Sequence, residues 1–292
     1  MIQKPNQVLQ EMKTGNYHPV YFLQGDEPYY IDSISAYIEN HVLEESEKGF
    51  NQMVMYGKDS SIDTILINAR RFPMMASRQV VIVKEAQDIS NFNRQDAQKL
   101  LQSYVESPLT STVLVFCYKY KTLDKRRSLT KSLIEHATLV DCKKLYDNQV
   151  PDWILDYVKL KNATIDLVTA QLLSDYIGNN LERLSSEIDK VLLNLPEPSK
   201  IDTAVVQKYI GISKDYNVFE LQKALAVKDN VKAQKIVQYF AANPRQNPII
   251  PVIALLFSFF SKLLLVQHSK SANEKDLARM LNLRPFFLKE YM

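Results

Sequence analysis

Arg71-Phe72-Pro73-Met74-Met75-Ala76-Ser77-Arg78-Gln79 runs directly into Val80-Val81-Ile82-Val83. The branched aliphatic run reads as a strand buried on both faces of a parallel sheet. Pro73 ends whatever helix precedes it, so Met74 and Met75 fall at a junction between two elements. From these residues alone two readings stand. Both methionines fill the core beneath a helix end, or they form an adaptable protein-binding tip.

Working outward, strands alternate with helices. Pro19-Val20-Tyr21-Phe22-Leu23 reads as a strand, Gly25-Asp26-Glu27 as a turn, and Pro28 opens a helix striped with Ile31, Ile34, Ile38 and Val42. Met53 to Tyr56 is a second strand, and Ser60 or Ser61 caps a helix through Ile62, Ile65, Leu66 and Ala69. Beyond Val83 come a helix around Asp96 to Val105, a strand from Thr112 to Cys117, a helix from Arg126 to His136 and a strand from Thr138 to Val140. This alternation predicts right-handed crossovers and a parallel sheet covered on both faces. After Cys142 every segment reads as helix, with Gly178 closing one of them and a turn around Leu195 to Ser199. The domains expected are 1–141, an α/β parallel-sheet domain; 142–211, a small helical domain; and 212–292, an all-α domain that stops early.

The chain of 292 residues is too long for one ordinary core. A net charge of +3 and a charged fraction of 24% describe a folded protein and neither demand nor exclude nucleic acid. The two cysteines, Cys117 and Cys142, are too few for a disulfide framework and read as buried thiols of a reducing, cytoplasmic compartment. The polar start, Met1 to Gly15, has no signal core. Pro248 to Val266 is the most apolar stretch, but Pro251, Ser258, Ser261 and Lys262 interrupt it, so a packed helix is expected and no membrane span.

An α/β domain followed by a small helical one resembles the layout of the AAA+ ATPases. Their phosphate loop lies between the first strand and helix, where this chain has Gln24-Gly25-Asp26-Glu27-Pro28. Two carboxylates at a helix start repel phosphate, and no Lys-Ser or Lys-Thr follows. At the third strand's end, where a magnesium-holding acid belongs, stands Lys84-Glu85. With six glycines the chain has no phosphate-cradling glycine motif. His18, His41, His136 and His268 lack metal-ligand spacing. No cofactor, metal or catalytic residue is therefore expected.

Several segments together resemble the delta-subunit family of the bacterial DNA polymerase III clamp loader. They are Val20 to Tyr29, Pro73 to Val83, and Gly178-Asn179-Asn180-Leu181-Glu182-Arg183-Leu184 with Glu187 to Lys190. Weaker agreement follows at Asn217 to Leu221 and Leu283 to Phe287. The resemblance implies an AAA+-like domain without a working nucleotide site, a helical lid and a helical collar. It implies a subunit that grips the beta sliding clamp and holds its ring open, and that joins gamma/tau-type ATPases and a delta-prime subunit through its collar around primer–template DNA. The family's grip centres on two apolar residues before Ala-Ser-Arg-Gln, here Met74 and Met75, with Pro73 and Arg78 beside them. A divergent AAA+ ATPase and the related delta-prime subunit are the alternatives. Against the second, the chain lacks that subunit's zinc-binding cysteines and its Ser-Arg-Cys segment.

Two further features admit bland and functional readings. Arg78 pairs with a nearby carboxylate, or joins Gln79 as a polar rim of the clamp contact. Lys119, Lys121, Lys125, Arg126 and Arg127 open a segment to Lys144 with eight bases against three acids. It is a solvated helix face, or a contact to DNA backbone. The helix bearing Glu182, Arg183, Glu187 and Lys190 is expected to carry surface or inter-domain ion pairs, Asp189 excepted.

Overall fold

The computed structural model describes residues 2–197, 199–210, 216–244, 247–269 and 273–281. The chain divides into two compact units, Met1–Lys144 and Leu145–Met292.

In the first unit five parallel strands stand in the order β2-β3-β4-β1-β5. They are β1 (Val20–Gly25), β2 (Gln52–Tyr56), β3 (Gln79–Lys84), β4 (Thr112–Lys119) and β5 (Thr138–Asp141). The alternation of side chains along β1, β3 and β4 divides their apolar residues between the two faces. Phe22, Val81, Val83, Leu114 and Phe116 pack with α4 (Ile62–Ala69), α5 (Gln95–Glu106) and α6 (Ser128–His136). Residues of opposite parity, among them Leu23, Ile82 and Cys117, share the other face with the buried stripe Ile31, Ile34 and Ile38 of α2 (Pro28–His41). An N-terminal helix, α1 (Pro5–Lys13), lies against α2. A short helix, α3 (Glu45–Asn51), leads straight into the edge strand β2. Periodicity predicts neither α1 nor α3, because each is too short to show a clear stripe.

The corner where an AAA+ phosphate loop would lie is occupied by the chain itself. The Gly25 amide donates to the Lys121 carbonyl (3.1 Å), and the Tyr120 amide donates to the Gly25 carbonyl (2.9 Å). The Cys142 amide donates to the Gln24 carbonyl (2.7 Å), and the Glu27 amide to that of Cys142 (3.0 Å). Gln24 is buried. Its carboxamide donates to Asp141 (2.6 Å) and accepts from the Leu123 amide (2.9 Å). Glu27, also buried, caps α2 by accepting the Tyr29 amide (3.2 Å), so a carboxylate of the chain already uses a donor at that helix N-terminus. Gly25 sits at φ +133°, and a Cβ there would stand 2.1 Å from the Cys142 carbonyl oxygen.

In the second unit come α7 (Val150–Leu160), α8 (Leu167–Ile177), α9 (Leu181–Leu192) and α10 (Thr203–Ile210). Gly178, at φ +82°, ends α8 as its sequence implied. The expectation of helices alone after Cys142 needs correction. Thr164–Ile165 (β6) and Lys200–Ile201 (β7) form a two-stranded parallel ladder. Two-residue strands leave no periodicity to read. The pairs expected on α9 include Glu187 with Lys190, whereas Asp189, set aside from the pattern, accepts the Tyr157 hydroxyl (2.8 Å) and pairs with Lys161 (3.0 Å).

The remaining helices are α11 (Val218–Ala226), α12 (Asn230–Ala242), α13 (Ile249–His268) and α14 (Glu274–Met280). Leu221, Ala224, Ala233, Ile236, Phe240 and Val252 form a small core among α11, α12 and α13. The packed helix expected over 248–266 is not what is found. In α13 only Val252 and Phe259 are buried, while Ile249, Ile250, Ile253, Phe257 and Leu264 are exposed. By length and composition alone this helix is apolar enough to cross a membrane. The segments Leu283 to Phe287 and Gly211 to Asp215 lie outside the described residues.

Burial pushes the Cys117 thiol from 9.0 up to about 12, a hydrogen bond with Ser35 only partly opposing it, and burial raises Cys142 as well. The folded state therefore keeps both protons where the unfolded chain sheds them. Their contribution to stability is full below pH 9 and declines as pH rises toward 12. A thiol-specific disulfide reagent at pH 8 should leave both cysteines unlabelled in the native protein and label both in urea. Rapid native labelling would contradict their burial.

Candidate functional site

The junction around Met74 is built by two buried carboxamides. The first is Gln79, at the start of β3. Its Nε2 donates toward the carbonyls of Asn68 (3.2 Å), Ala69 (3.3 Å) and Arg71 and to Thr112 Oγ1 (2.8 Å). Thr112 Oγ1 and the Tyr104 hydroxyl also donate to the Ala69 carbonyl, at 2.8 and 3.3 Å. The last carbonyls of α4, which a helix end leaves unpaired, are thus met from the sheet and from α5. Gln79 is buried, so it is an internal latch, and the reading of it as a rim contact is corrected.

The second carboxamide is Asn51, at the end of α3. Its Oδ1 accepts the Met74 amide (2.6 Å), and its Nδ2 donates to the Met74 carbonyl (2.9 Å) and to the Glu47 carbonyl of its own helix (3.0 Å). Both backbone groups of Met74 are therefore clasped by one side chain. The next residue, Met75, lies at φ +55°, a left-handed conformation that costs a side-chain-bearing residue about 1–2 kcal/mol. Two hydrogen bonds at roughly 0.5–1.5 kcal/mol each are of the size needed to hold it.

Both sulfur-bearing side chains face solvent. Met74 is 57% exposed and Met75 fully exposed. Pro73 is half-buried at the base of the loop. Phe50 and Phe72 are also largely exposed, and together with Met74 they line a cleft of about 270 Å³ bordered by Asn51, Met53 and Arg71. The sequence singles out neither Phe50 nor Asn51, since the link from Asn51 to Met74 spans 23 positions. Phe72, adjacent to the doublet, carries a signal only as an aromatic outside any stripe.

Arg78 lies over the Tyr17 ring (5.6 Å to the centroid), and among the described residues it makes no ion pair. The expected carboxylate partner is replaced by a cation–π contact.

The basic candidates separate into two groups. Lys119, at the end of β4, pairs with Asp32 (2.8 Å) and Glu85 (3.3 Å). Burial lowers its pKa, but the Asp32 bond and the two carboxylate charges more than reverse that, leaving it above the ordinary value. It closes the corner beside Lys84, whose own partner is Glu39 (3.3 Å). Arg126 makes a two-pronged bond to Asp124, holding that carboxyl down at about 2. Lys121, Lys125 and Arg127 are exposed, and no ion pair engages them among the described residues. Lys119 is thus a structural cation, and the other three are the ones available to an anion.

Comparison with known proteins gives a consistent similarity. Residues 21–143 match the family described as DNA polymerase III, delta subunit. The match lies within the first unit, which is similar to that family. The DNA polymerase III subunit delta of Bacillus subtilis (strain 168) is 28% identical over 289 residues, 97% of this chain and 82% of that protein. A probable DNA polymerase III subunit delta of Aquifex aeolicus (strain VF5) is 23% identical over 265 residues, 87% of this chain and 72% of the relative. Among solved structures, the Bacillus subtilis DNA clamp loader delta protein superposes with a TM-score of 0.65 at 26% identity, covering 99% of this chain and 86% of that one. This chain therefore shares the fold of that clamp loader delta protein.

Gln79→Ala would strip several buried carbonyls of a donor at once. We expect it to destabilise the protein by about 2–3 kcal/mol in urea titration, whereas Arg78→Ala should cost less than about 1 kcal/mol. Equal effects would show that the latch does not hold the junction.

Proposed function

We propose that this chain is the delta subunit of a bacterial clamp loader, and that Met74 and Met75 grip the sliding clamp so that its ring is held open for loading on primed DNA. The observation that carries this reading is the pair of solvent-facing methionines on a clasped, left-handed turn of a delta-family domain. A surface in water gains nothing by presenting them unless a partner covers them. Phe50 and Phe72 line one cleft with Met74 and extend the apolar face, and Arg78 is proposed as a polar contact beside it.

The mechanism follows from linkage. A ligand shifts an equilibrium only by its difference in affinity for the two states. A tip that docks beside a subunit interface of the clamp, and fits better when that interface is sprung, favours the open ring. The hydrogen bonds that fill the Gly25 to Glu27 corner support a subunit that leaves ATP hydrolysis to gamma/tau-type siblings. The exposed apolar side of α13 supports assembly with those siblings and a delta-prime subunit through a collar beyond residue 212. Residues 1–141 would then be the gripping domain and 142–211 the lid.

Burying two methionines contributes roughly 1.5–3 kcal/mol apiece. A Met74→Ala, Met75→Ala variant should therefore bind the clamp of its own organism about a hundredfold or more weakly in surface plasmon resonance, with its unfolding midpoint nearly unchanged. Unchanged affinity would sink the proposal.

The interaction with DNA backbone is assigned to Lys121, Lys125 and Arg127. Replacing all three by Gln should lower the salt-dependence slope of primer–template binding by the assembled loader, by about one unit for each phosphate no longer neutralised. Lys119→Gln should instead lower thermal stability. A slope unmoved by the triple variant would leave these cations as an ordinary solvated surface.

A further inference from the structure

We infer that Asn51 is a positioning residue for clamp binding: its carboxamide presets the Met74–Met75 turn in the conformation that the partner recognises. This inference rests on the proposed grip. It goes further by naming what makes that grip selective, a buried side chain that acts through the backbone of Met74.

Met74 needs a fixed backbone because the loop from Arg71 to Arg78 has no helix or strand of its own. Pro73 donates no hydrogen bond. Gln79, at the loop's C-terminal end, ties it to the Asn68 and Arg71 carbonyls at its start, and Arg78 packs on Tyr17. Between them the carboxamide of Asn51 binds both the amide and the carbonyl of Met74. It does for that residue what a neighbouring strand would do. Asn51 is itself buried and tied to Glu47, so its orientation is set by α3. Alanine offers neither donor nor acceptor. Leucine fills the space and offers neither. Aspartate keeps the acceptor for the amide but turns a negative charge on the Met74 carbonyl.

The consequence for binding is arithmetic. A partner that recognises one loop conformation binds with an apparent affinity reduced by the fraction of chains that hold it. If releasing the clasp leaves a tenth of the molecules in the native turn, affinity falls about tenfold, although every atom that the partner touches is still present. Long methionine side chains make this control more useful. They adapt their own rotamers to the partner, so the direction in which they leave the backbone carries the specificity.

The test uses the full chain and the clamp from the same organism, with Asn51→Ala, Asn51→Asp and the Met74→Ala, Met75→Ala double variant side by side. Affinity is read by surface plasmon resonance, and amide hydrogen exchange is followed at Met74 and across Val80 to Val83. The inference expects Asn51→Ala to bind about tenfold more weakly and Asn51→Asp to fall in between. Met74 exchange should accelerate while β3 stays protected. If Asn51→Ala binds as the parent does while the double methionine variant fails, the positioning role is overturned and the grip stands. Should the double variant also bind normally, the grip itself falls, and this inference with it. If Asn51→Ala exposes β3 as well, Asn51→Asp decides alone: full affinity with fast Met74 exchange overturns the role, and reduced affinity with β3 protected supports it.

Discussion

The geometry of the first unit turns on the side chain of Gln79. One carboxamide, buried between α4 and β4, meets the carbonyls that end the helix while its own backbone begins the neighbouring strand. A helix terminus inside a protein leaves acceptors that must be met or the end is costly. Meeting them from the sheet fixes where α4 stops and where β3 starts. The chain between is then a closed excursion of fixed length. Pro73 within it rules out a continued helix, so the excursion must face outward.

A second carboxamide then decides the shape of that excursion. Asn51 reaches Met74 from the edge of the sheet, where β2 has only one neighbouring strand. The sheet's edge therefore supports the loop in place of a further strand, and the excursion points away from the strands' C-terminal ends. Those ends, where open α/β sheets commonly hold ligands, are filled by hydrogen bonds among Gln24, Gly25, Lys121 and Cys142 and by the Lys119 ion pairs. The N-terminal side of β3, with the loop leading into it, holds the apolar surface. The C-terminal corner of the sheet is structural, and the exposed apolar surface lies at the opposite ends of the strands.

How much of this was legible depends on the range of the interaction. The central strands β3 and β4 were readable because apolar, largely branched residues run without interruption where both faces are covered. The methionine doublet was conspicuous because Pro73 separates it from any stripe. Its exposure was not readable, since Met74 and Met75 are apolar and their outward direction is imposed by Asn51 and Gln79 through distant hydrogen bonds. The same holds for Lys119. In sequence it is one of a run of cations, but Asp32 and Glu85 claim it from two other parts of the chain. The α13 helix failed for the opposite reason. Its apolar residues surround the helix, so the pattern announces burial, while among the described residues only Val252 and Phe259 are fully buried.

The pairing of a stiff backbone with soft side chains has a physical logic. A rigid aromatic tip would demand close shape complementarity, and a mobile loop would lose affinity to its own disorder. Methionine on a clasped turn takes a middle course. The direction is set by hydrogen bonds that exist before any partner arrives, and the final fit is left to three rotatable bonds and a polarisable sulfur. The left-handed turn at Met75 is then understandable as a cost accepted for direction, since it lifts that side chain clear of the surface entirely. A residue held in that conformation with nothing to touch is stable only because its neighbour is clasped. The turn therefore holds its apolar side chains outward without help from any bound molecule.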